Sequence, residues 1–421
     1  MKITMLTYGS RGDVQPFIAL ARELQKNGHD VKLAAPHRFA DFVGVYNVPF
    51  VSLAGDPEEM SRRINRAGTN AIRIISSIRD YIFTIAPEVS RSAFEACEGA
   101  GLIIHSFLFT VGGHSWAREH AIPDISVQAF PMFAPTREFP NVAASQLPSG
   151  VLSYLSHWLA CQAFWYGGNI GYGPARRANP DISYPKKLYW PFDDDPLRLR
   201  TPILCAWSPR VLPAPSDWPP RVHVTGYYFL SAGDSYQPPA HLDSFLETGT
   251  PPVCITFGSM VHREAERIDR IVREALRQTA NRGIILSGWS RVANDSSRDV
   301  LYLESAPHDW LLPRCKLVVH HGGAGTTSAG LRAGIPNVVV PFTADQPFWG
   351  KRVQAIGAGP EPILVRYLSA EKLTRGMIEA GSEALRERAR AIGERLRSED
   401  GVGSAVSLIE KYSNDFHIGC L

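Results

Sequence analysis

The sequence predicts an α/β protein of two domains, each built around a parallel sheet with helices on its faces. Near the start, and again after the middle, a short apolar segment is followed by a glycine-containing loop, a helical pattern and a second apolar segment. That order is the repeating unit of parallel sheets. The length of 421 residues also exceeds what one core usually supports, and it suits two domains of about 200 residues each.

The first half begins with a strand predicted over residues 2–8 and a loop over residues 9–13. A helix follows, with Pro16 in its first turn and Gly28 as its end signal. Further strands are predicted at residues 31–35, 101–105 and 124–129. Residues 130–220 are rich in proline and aromatic residues, and their periodicity is poor.

The second half repeats this architecture. Its predicted strands cover residues 253–257, 283–286, 317–320 and 337–341. Its helices are predicted over residues 264–279, from the glycines after residue 321 to about residue 333, and over residues 371–412 with a break at residues 401–403. We therefore predict an N-terminal domain over residues 1–230, a linker over 231–252, a C-terminal domain over 253–395, and a final helix over 396–421 that packs back on the N-terminal domain.

Composition excludes several classes of protein. The net charge is only +3 and no run of basic residues occurs, so nucleic acid is not an expected partner. The six cysteines are too far apart for a zinc site or a small disulfide framework, and they fit free thiols in a reducing compartment. The start lacks the features of a signal peptide, and no apolar stretch is long enough to span a bilayer. We expect a cytoplasmic protein.

One segment is compatible with peripheral binding of the protein to a membrane surface. Residues 61–83 mix five arginines with six isoleucines, a pattern typical either of an interfacial helix or of a core-facing helix with a solvated basic face. The second interpretation is the more common outcome for such a pattern.

The strongest motif runs from His320 to Thr327 between a predicted strand and a predicted helix. Its glycines let the backbone approach a ligand closely, and the helix N-terminus directs N–H groups and a positive dipole end outward. His321 and Thr326 add side-chain donors. The motif predicts a cradle for a phosphate or diphosphate, the alternative being a packing turn with a threonine cap. It matches neither the P-loop nor the Gly-x-Gly-x-x-Gly fingerprint.

These residues resemble the donor signature of nucleotide-sugar glycosyltransferases with two facing Rossmann-like domains and a cleft between them, the GT-B architecture. The resemblance is closest to the sterol 3β-glucosyltransferases and weaker to glycopeptide-antibiotic glycosyltransferases. It is carried by residues 321–327, 334–336, 341–350 and 307–311 in the second half, and by residues 9–16, 54–57 and 136–138 in the first.

The resemblance implies transfer of a hexosyl group, most simply glucose from UDP-glucose, to the hydroxyl of an apolar acceptor such as a sterol. It implies inversion and no metal or cofactor, since the UDP-sugar is a substrate. The implied donor-binding residues are Ser10, Arg11, Ser259, Trp289, Ala306, His308, His321, Gly323, Ala324, Gly325, Thr326, Asp345 and Gln346. The implied acceptor-binding residues, from the aromatic segment, are Phe130, Phe133, Trp158 and Trp165.

Asp13 and His321 are the candidate catalytic residues. Inverting transfer needs a base that takes the proton of the acceptor hydroxyl, and Asp13 is the only titratable base of the first loop, where related enzymes place a histidine. The alternative for Asp13 is an Asx turn or a cap for the helix near Pro16. His321 would stabilise the charge that develops on the departing diphosphate.

The other candidate site residues also have simpler structural explanations. The alternative for Ser10 and Arg11 is a solvated loop, Ser259 is equally compatible with a plain turn, and Asp345 with Gln346 would by themselves be a loop pair. Stacking on the nucleobase is expected from Trp289 or Trp310, because the tryptophan position of the plant enzymes is Ser305 here. Asp193, Asp194 and Asp195 would suit a metal-dependent transferase, which the glycine cradle disfavours.

Three rival functions remain at this point. The first is a natural-product glycosyltransferase that uses a UDP- or TDP-sugar on a polyketide or glycopeptide. The second is a nucleotide-sugar epimerase, which needs acid and base groups on both faces of the sugar and no apolar acceptor pocket. The third is a catalytically silent auxiliary subunit, against which the intact donor signature counts.

Overall fold

The fold is a two-unit α/β structure, seen in a computed structural model that describes residues 1–56, 59, 63, 71–182, 184, 188, 192, 201–231, 236–258, 265–286 and 296–417. Unit 1 comprises residues 1–209, 213–230 and 400–421, and unit 2 comprises residues 210–212 and 231–399. Each unit has its own parallel sheet. The predicted fold class is confirmed.

Unit 1 contains a sheet in the order β3-β2-β1-β4-β5-β6-β7, with every described pairing parallel. Its strands are β1 (Lys2–Leu6), β2 (Asp30–Pro36), β3 (Phe50–Leu53), β4 (Leu102–Ser106), β5 (Asp124–Gln128), β6 (Ile203–Cys205) and β7 (Val222–Val224). Its helices before the chain leaves the unit are α1 (Arg11–Lys26), α2 (Ala40–Gly44), α3 (Ala71–Cys97), α4 (Thr110–Glu119) and α5 (Val151–Ala178).

Unit 2 contains a second sheet in the order β10-β9-β8-β11-β12, also parallel. Its strands are β8 (Val253–Thr256), β9 (Gly283–Leu286), β10 (Val300–Leu303), β11 (Leu317–His320) and β12 (Asn337–Val339). Its helices are α6 (Ala240–Glu247), α7 (Ala265–Gln278), α8 (His308–Leu311), α9 (Ala324–Ala333), α10 (Gln346–Ala355), α11 (Ala370–Ala380) and α12 (Glu383–Arg397).

In both sheets the strand order reverses beside the first strand. The chain moves outward from β1 to β3 and then returns to place β4 on the other side of β1, and unit 2 does the same around β8 with β11. The loops that leave the carboxyl ends of these central strands therefore diverge, and such switch points are where open α/β sheets bind ligands. Residues 7–10 follow β1, and residues 321–323 follow β11.

The final helix, α13 (Gly401–His417), belongs to unit 1. It packs on α1, and its buried residues Ala405, Val406 and Ile409 join the core formed by α1 and the sheet. His29 adds a 3.0 Å contact from its Nε2 to Glu410. The chain thus enters unit 2 after residue 230 and returns for its last helix.

Several predicted boundaries differ from the structure. Part of the predicted linker forms α6, whose Leu242 and Phe245 are buried in a core cluster of unit 2. The break in the last helical region lies at residues 398–400 rather than 401–403, because the Asp400 carboxylate accepts a hydrogen bond from the Gly403 N–H at 2.8 Å and starts α13. Helix α5 lies within residues 130–220, the segment whose periodicity is poor.

Two further predictions, on the cysteines and on residues 61–83, can be compared with the described residues only in part. The five cysteines within them are free and buried. Most of residues 61–70 lie outside them, but the helix that follows has Tyr81 buried and Ile82 directed at α5 near Gly171. No helix in the described part of the chain is long and apolar enough to cross a membrane.

Candidate active site

The glycine loop of unit 2 lies at the switch point between β8 and β11. Helix α9 follows it, with Gly323 as N-cap and no side-chain bond to the first-turn N–H groups. Ala324, Gly325 and Thr326 therefore present backbone donors at the positive end of the helix dipole. Behind them, the buried hydroxyl of Thr327 has no hydrogen-bond partner among the described residues. This arrangement suits an anionic ligand.

His320 fixes the shape of this loop. The residue is fully buried, with its Nε2 3.0 Å from Asn337 Oδ1 and its Nδ1 accepting from the Gly322 N–H at 3.1 Å. Burial lowers the pKa of His320 to about 3, so the ring is neutral and its tautomer is set by these two partners. Gly322 has φ +92°, and a Cβ there would lie 2.7 Å from Val339 Cγ1. Only glycine fits this position without strain.

His321 presents its ring beside the loop that follows β8. A Cβ on Gly258 would lie 3.3 Å from the His321 Cε1 atom. Burial lowers the pKa of His321 to about 4, and a hydrogen bond with the Thr256 backbone opposes that shift. Nδ1 is shielded from solvent and has no partner within the described residues. A neutral imidazole with an unused ring nitrogen is therefore held next to the N-terminus of α9.

The loop between β12 and α10 carries two more predicted donor residues. Gln346 is buried, and its Oε1 accepts from the Phe342 and Thr343 N–H groups at 2.8 and 3.1 Å. That carbonyl is therefore used to shape the loop, which leaves the amide nitrogen as the group for a ligand. Asp345 is half-buried at the N-cap of α10. Ala344, just before it, has φ +56°, a strained conformation for alanine.

The remaining donor-binding candidates of unit 2 do not all lie in the same segment, and two of them lie outside the described residues. Ala306 is buried and His308 begins α8, both in the segment that follows β10. The Arg314 guanidinium lies 4.1 Å from the Trp310 ring centroid, and Tyr236 makes an edge-type contact with the same ring. The role of Trp310 in nucleobase stacking stays a prediction. Ser259 and Trp289 lie outside the described residues.

In unit 1 the loop after β1 is compatible with both interpretations of Asp13, as a helix cap and as a catalytic base. Helix α1 begins at Arg11 with Ser10 as its N-cap, rather than near Pro16. Asp13 is the third helical residue, and its Oδ2 accepts from the Ser10 N–H at 2.7 Å and from the Ser10 hydroxyl at 2.9 Å. This is a capping box. No hydrogen bond reaches Oδ1 from the described part of the chain, so that oxygen is left for another role.

The electrostatics of Asp13 favour a base. Burial raises the pKa of the carboxyl group, and the two hydrogen bonds from Ser10 oppose the increase. A carboxylate with a raised pKa is a stronger proton acceptor. Ser10, a predicted donor residue, uses its hydroxyl within the cap. Arg11 is exposed and places its guanidinium 4.5 Å from the Phe42 ring centroid.

Only some of the predicted acceptor-binding residues lie together in the structure. Phe130 contacts Phe107, and Phe133 contacts Phe164 of α5, with ring centroids 4.9 and 4.8 Å apart. Phe107 also reaches Phe164 at 6.1 Å, so these rings form one cluster. Trp165 is partly exposed on α5. Trp158 is half exposed on the outer side of the helix, apart from this cluster, and its role in acceptor binding stays a prediction.

Two other histidines of unit 1, His105 and His114, are not accessible to an acceptor as bases. His105 and His114 are buried, and both contact Asp124, at 2.9 and 3.1 Å. The Thr201 hydroxyl donates to the same carboxylate at 3.0 Å. The two histidines hold the pKa of Asp124 well below its usual range, despite burial. The cluster is a buried ion network that the sequence did not indicate, because its members lie far apart in the chain.

Comparison with known proteins identifies the family. Residues 3–106 match the profile of the glycosyltransferase family 28 N-terminal domain. Residues 293–400 match that of the erythromycin biosynthesis protein CIII-like C-terminal domain. O-mycaminosyltylonolide 6-deoxyallosyltransferase of Streptomyces fradiae is 34% identical over 438 residues, covering 98% of both chains. The chain belongs to glycosyltransferase family 28. The predicted resemblance is confirmed.

Other relatives of this family 28 chain are sterol enzymes. Sterol 3-beta-glucosyltransferase of Arabidopsis thaliana is 34% identical over 426 residues, which cover 98% of this chain and 66% of that protein. The enzyme of the same name from Yarrowia lipolytica is 34% identical over 97% of this chain and 28% of its own length. The chain thus spans 66% of the plant relative and 28% of the fungal one.

Solved structures show the same fold. The glycosyltransferase of kitacinnamycin matches with a TM-score of 0.71 and 19% identity over 98% of each chain. The calicheamicin glycosyltransferase CalG4 matches with a TM-score of 0.66 and 17% identity, covering 98% of this chain and 97% of its own. The family 28 chain has the GT-B fold.

A metal site is not evident where the structure can be examined. Within the described residues no group of three or more histidine, cysteine, aspartate or glutamate side chains is arranged to hold an ion. Asp193, Asp194 and Asp195 lie outside those residues, so metal independence stays a prediction.

Proposed function

We propose that this chain transfers glucose from UDP-glucose to the hydroxyl group of an apolar acceptor such as a sterol, with inversion at the sugar. The observation that carries the proposal is the pair of unused groups on the glycine loop of unit 2. His321 Nδ1 is buried without a partner in the described residues, and the N-terminus of α9 beside it has no side-chain cap. Buried polar groups without partners are unusual in proteins, and a bound diphosphate would satisfy them.

On the donor side, the loop would stabilise the leaving group. As the bond between the anomeric carbon and the phosphate oxygen breaks, negative charge accumulates on the UDP. The backbone N–H groups at the start of α9 and the neutral His321 ring lie in fixed positions, so they need no reorganisation when that charge develops. His320 contributes indirectly, because it holds Gly322 and hence the course of the loop.

On the acceptor side, Asp13 would take the proton of the hydroxyl as its oxygen attacks the anomeric carbon. Oδ2 is held by Ser10, so the orientation of the carboxylate is fixed, and Oδ1 carries no bond from the described residues. The raised pKa of Asp13 helps the transfer. The cluster of Phe107, Phe133 and Phe164 offers an apolar surface in the same unit for the body of the acceptor.

A second candidate is transfer of a 6-deoxy sugar from a thymidine nucleotide to a polyketide. The Streptomyces fradiae relative supports it, because its name gives a 6-deoxyallosyl transfer and the alignment covers 98% of both chains. The residues described above would act in the same way on either donor, so their arrangement does not choose between the two.

The test supplies the purified chain with UDP-glucose or a TDP-6-deoxyhexose and a panel of sterols and macrolactones, and detects products by mass spectrometry. Sterol glucoside from UDP-glucose is the expected result. Product with macrolactones alone supports the second candidate. A change in the sugar without an acceptor indicates an epimerase. No turnover with any pair indicates a silent subunit. The reaction should proceed in EDTA.

A further inference from the structure

Helix α5 exposes large apolar side chains along one side. Between 43% and 74% of the surface of each residue in this set is exposed. The set, called here the outer face of α5, consists of Val151, Leu152, Tyr154, Leu155, Trp158, Leu159, Tyr166 and Ile170. Members recur three or four residues apart over residues 151–159 and again from Tyr166 to Ile170, so both groups lie on one side of the helix. Apolar stripes of this kind on a helix usually mark a surface that another apolar phase covers.

The helix is inverted relative to an ordinary surface helix, whose apolar side faces the core. Its buried side carries Ser153, Ser156 and His157. Ser156 Oγ accepts from the Asn141 N–H at 2.9 Å, and His157 Nδ1 lies 3.3 Å from the Asn141 amide. These contacts fix which side faces inward. The outer face is therefore exposed because of specific polar contacts on the opposite side, and a small rotation of the helix would not hide it.

The charges of α5 favour an anionic surface. Residues 151–178 include no aspartate or glutamate, and Arg176 and Arg177 are exposed at the end of the helix. Arg137 lies nearby, 5.8 Å from the centroid of the Tyr154 ring. Tryptophan and tyrosine on the apolar side with arginine at the margin are typical of helices that lie in the plane of a membrane interface.

The other side of the same helix meets the aromatic cluster. Phe164 of α5 contacts Phe133 at 4.8 Å and Phe107 at 6.1 Å between ring centroids. The helix thus separates an exposed apolar stripe from the surface to which we assign the apolar acceptor. Docking on lipid would therefore bring a lipid-dissolved acceptor to within one helix of the cluster and shorten its passage through bulk water, which is unfavourable for an apolar molecule.

We propose that the outer face of α5 docks on an anionic lipid surface. The docking itself does not depend on the proposed function; only its benefit to catalysis rests on the acceptor being apolar. A second copy of the chain is the main alternative cover, and the absence of acidic residues from the helix favours lipid, because a second copy would bring the same positive charges face to face.

The experiment compares the full chain with two double variants in co-sedimentation with liposomes of phosphatidylcholine and phosphatidylglycerol, without donor or acceptor. The test variant is Leu155→Glu with Leu159→Glu, on the outer face. The control is Val45→Glu with Ile378→Glu, at sites that are 75% and 64% exposed elsewhere. All four residues are exposed, so we expect each variant to keep the wild-type melting temperature, which is measured alongside.

We expect the wild type and the control to bind liposomes at low salt, and the test variant to bind at least roughly tenfold more weakly. Wild-type chain that stays in the supernatant at low salt would overturn the proposal. So would equal binding by the test variant. A dimer in sedimentation velocity that only the test variant dissociates, without liposome binding, would assign the face to a second copy. Because no sugar transfer is measured, failure here is separate from failure of the proposed function.

Discussion

Asp13 Oδ2 lies 2.7 Å from the Ser10 backbone nitrogen and 2.9 Å from the Ser10 hydroxyl oxygen. One carboxylate oxygen therefore holds the start of α1, and the other is free of described hydrogen bonds. Gly9 makes this geometry possible, because a Cβ at residue 9 would collide with the Asp13 carboxylate. Capping and proton transfer need not compete for Asp13, since each would use a different oxygen.

Asp13→Asn should abolish most transfer without unfolding the protein. The amide oxygen of asparagine can still accept from the Ser10 N–H, but the side chain cannot take a proton. We expect turnover to fall by roughly a hundredfold to ten-thousandfold, with UDP affinity by calorimetry and the melting temperature near wild type. An asparagine variant with near-normal turnover would exclude Asp13 as the base.

Ser10→Ala is the matched control for that variant. It removes the hydroxyl that donates to Asp13 and accepts from Gly12, but it leaves the carboxylate able to accept a proton. Loss of an N-cap side chain typically costs about 1 kcal/mol of stability. We therefore expect a lower melting temperature and a loss of turnover much smaller than the loss in Asp13→Asn. Equal losses of turnover would indicate that the cap, not proton transfer, explains both variants.

His321→Ala should weaken stabilisation of the departing diphosphate. Loss of one donor to a developing anion typically costs on the order of 3 kcal/mol, or roughly a hundredfold in turnover. Because burial lowers the pKa of His321 to about 4, the ring is neutral between pH 8 and pH 6 in the protein without UDP, and we expect little change in UDP affinity over that range through this residue. Unchanged turnover in the variant would remove His321 from the mechanism.

Gly322→Ala should disrupt the donor loop. The residue has φ +92°, and the added Cβ would lie 2.7 Å from Val339 Cγ1 and 3.0 Å from the Gln346 carbonyl oxygen. Strain of this kind costs about 1–3 kcal/mol, so denaturant unfolding and UDP binding should both weaken. Gly112→Ala, in α4 with nothing within 4 Å of the added Cβ, should leave both unchanged. Full UDP affinity in Gly322→Ala would contradict the assignment of the loop.

Stability should decrease as the pH falls below about 6.5. Burial lowers the pKa of His320 to about 3 and that of His321 to about 4, from the ordinary value of 6.5. Between pH 6.5 and these values the unfolded chain binds protons that the folded chain does not, so the free energy of unfolding declines over that window. Urea titrations at pH 7.5, 5.5 and 4.5 measure it.

The matched variants for this titration are His320→Gln and His241→Gln. His320→Gln removes one buried titrating ring, so it should be less stable at pH 7.5 and show a shallower decline toward pH 4.5. His241 is exposed in α6, and its replacement should leave the wild-type slope. A slope for His320→Gln as steep as that of the wild type would mean that other groups cause the acid sensitivity.

Regular strands and glycine loops could be predicted from the sequence. Strands β9 and β11 and the end of α9 match the predicted residues, because a buried parallel strand is a continuous apolar run and a glycine punctuates it. The motif after β11 indicated a phosphate-binding loop from its sequence alone, since few other arrangements need glycines, threonines and histidine together.

Long-range polar contacts could not be predicted. Helix α5 has its serines inside and its leucines outside because Asn141 pairs with residues of its inner side, and no local periodicity contains that information. The start of α1 was predicted near Pro16 because proline favours first turns, yet the bonds between Ser10 and Asp13 begin the helix at Arg11. His105 and Asp124 meet only because neighbouring strands bring them together.

The return of α13 to unit 1 sets an order of events during translation. Val406 and Ile409 complete a core whose other walls, α1 and the sheet, leave the ribosome before residues 231–399 of unit 2. At about 5–20 residues per second, synthesis of those residues keeps that core open for on the order of ten seconds. The nascent chain must therefore carry a solvent-exposed apolar groove during that interval, and unit 1, although first in sequence, is the last to mature.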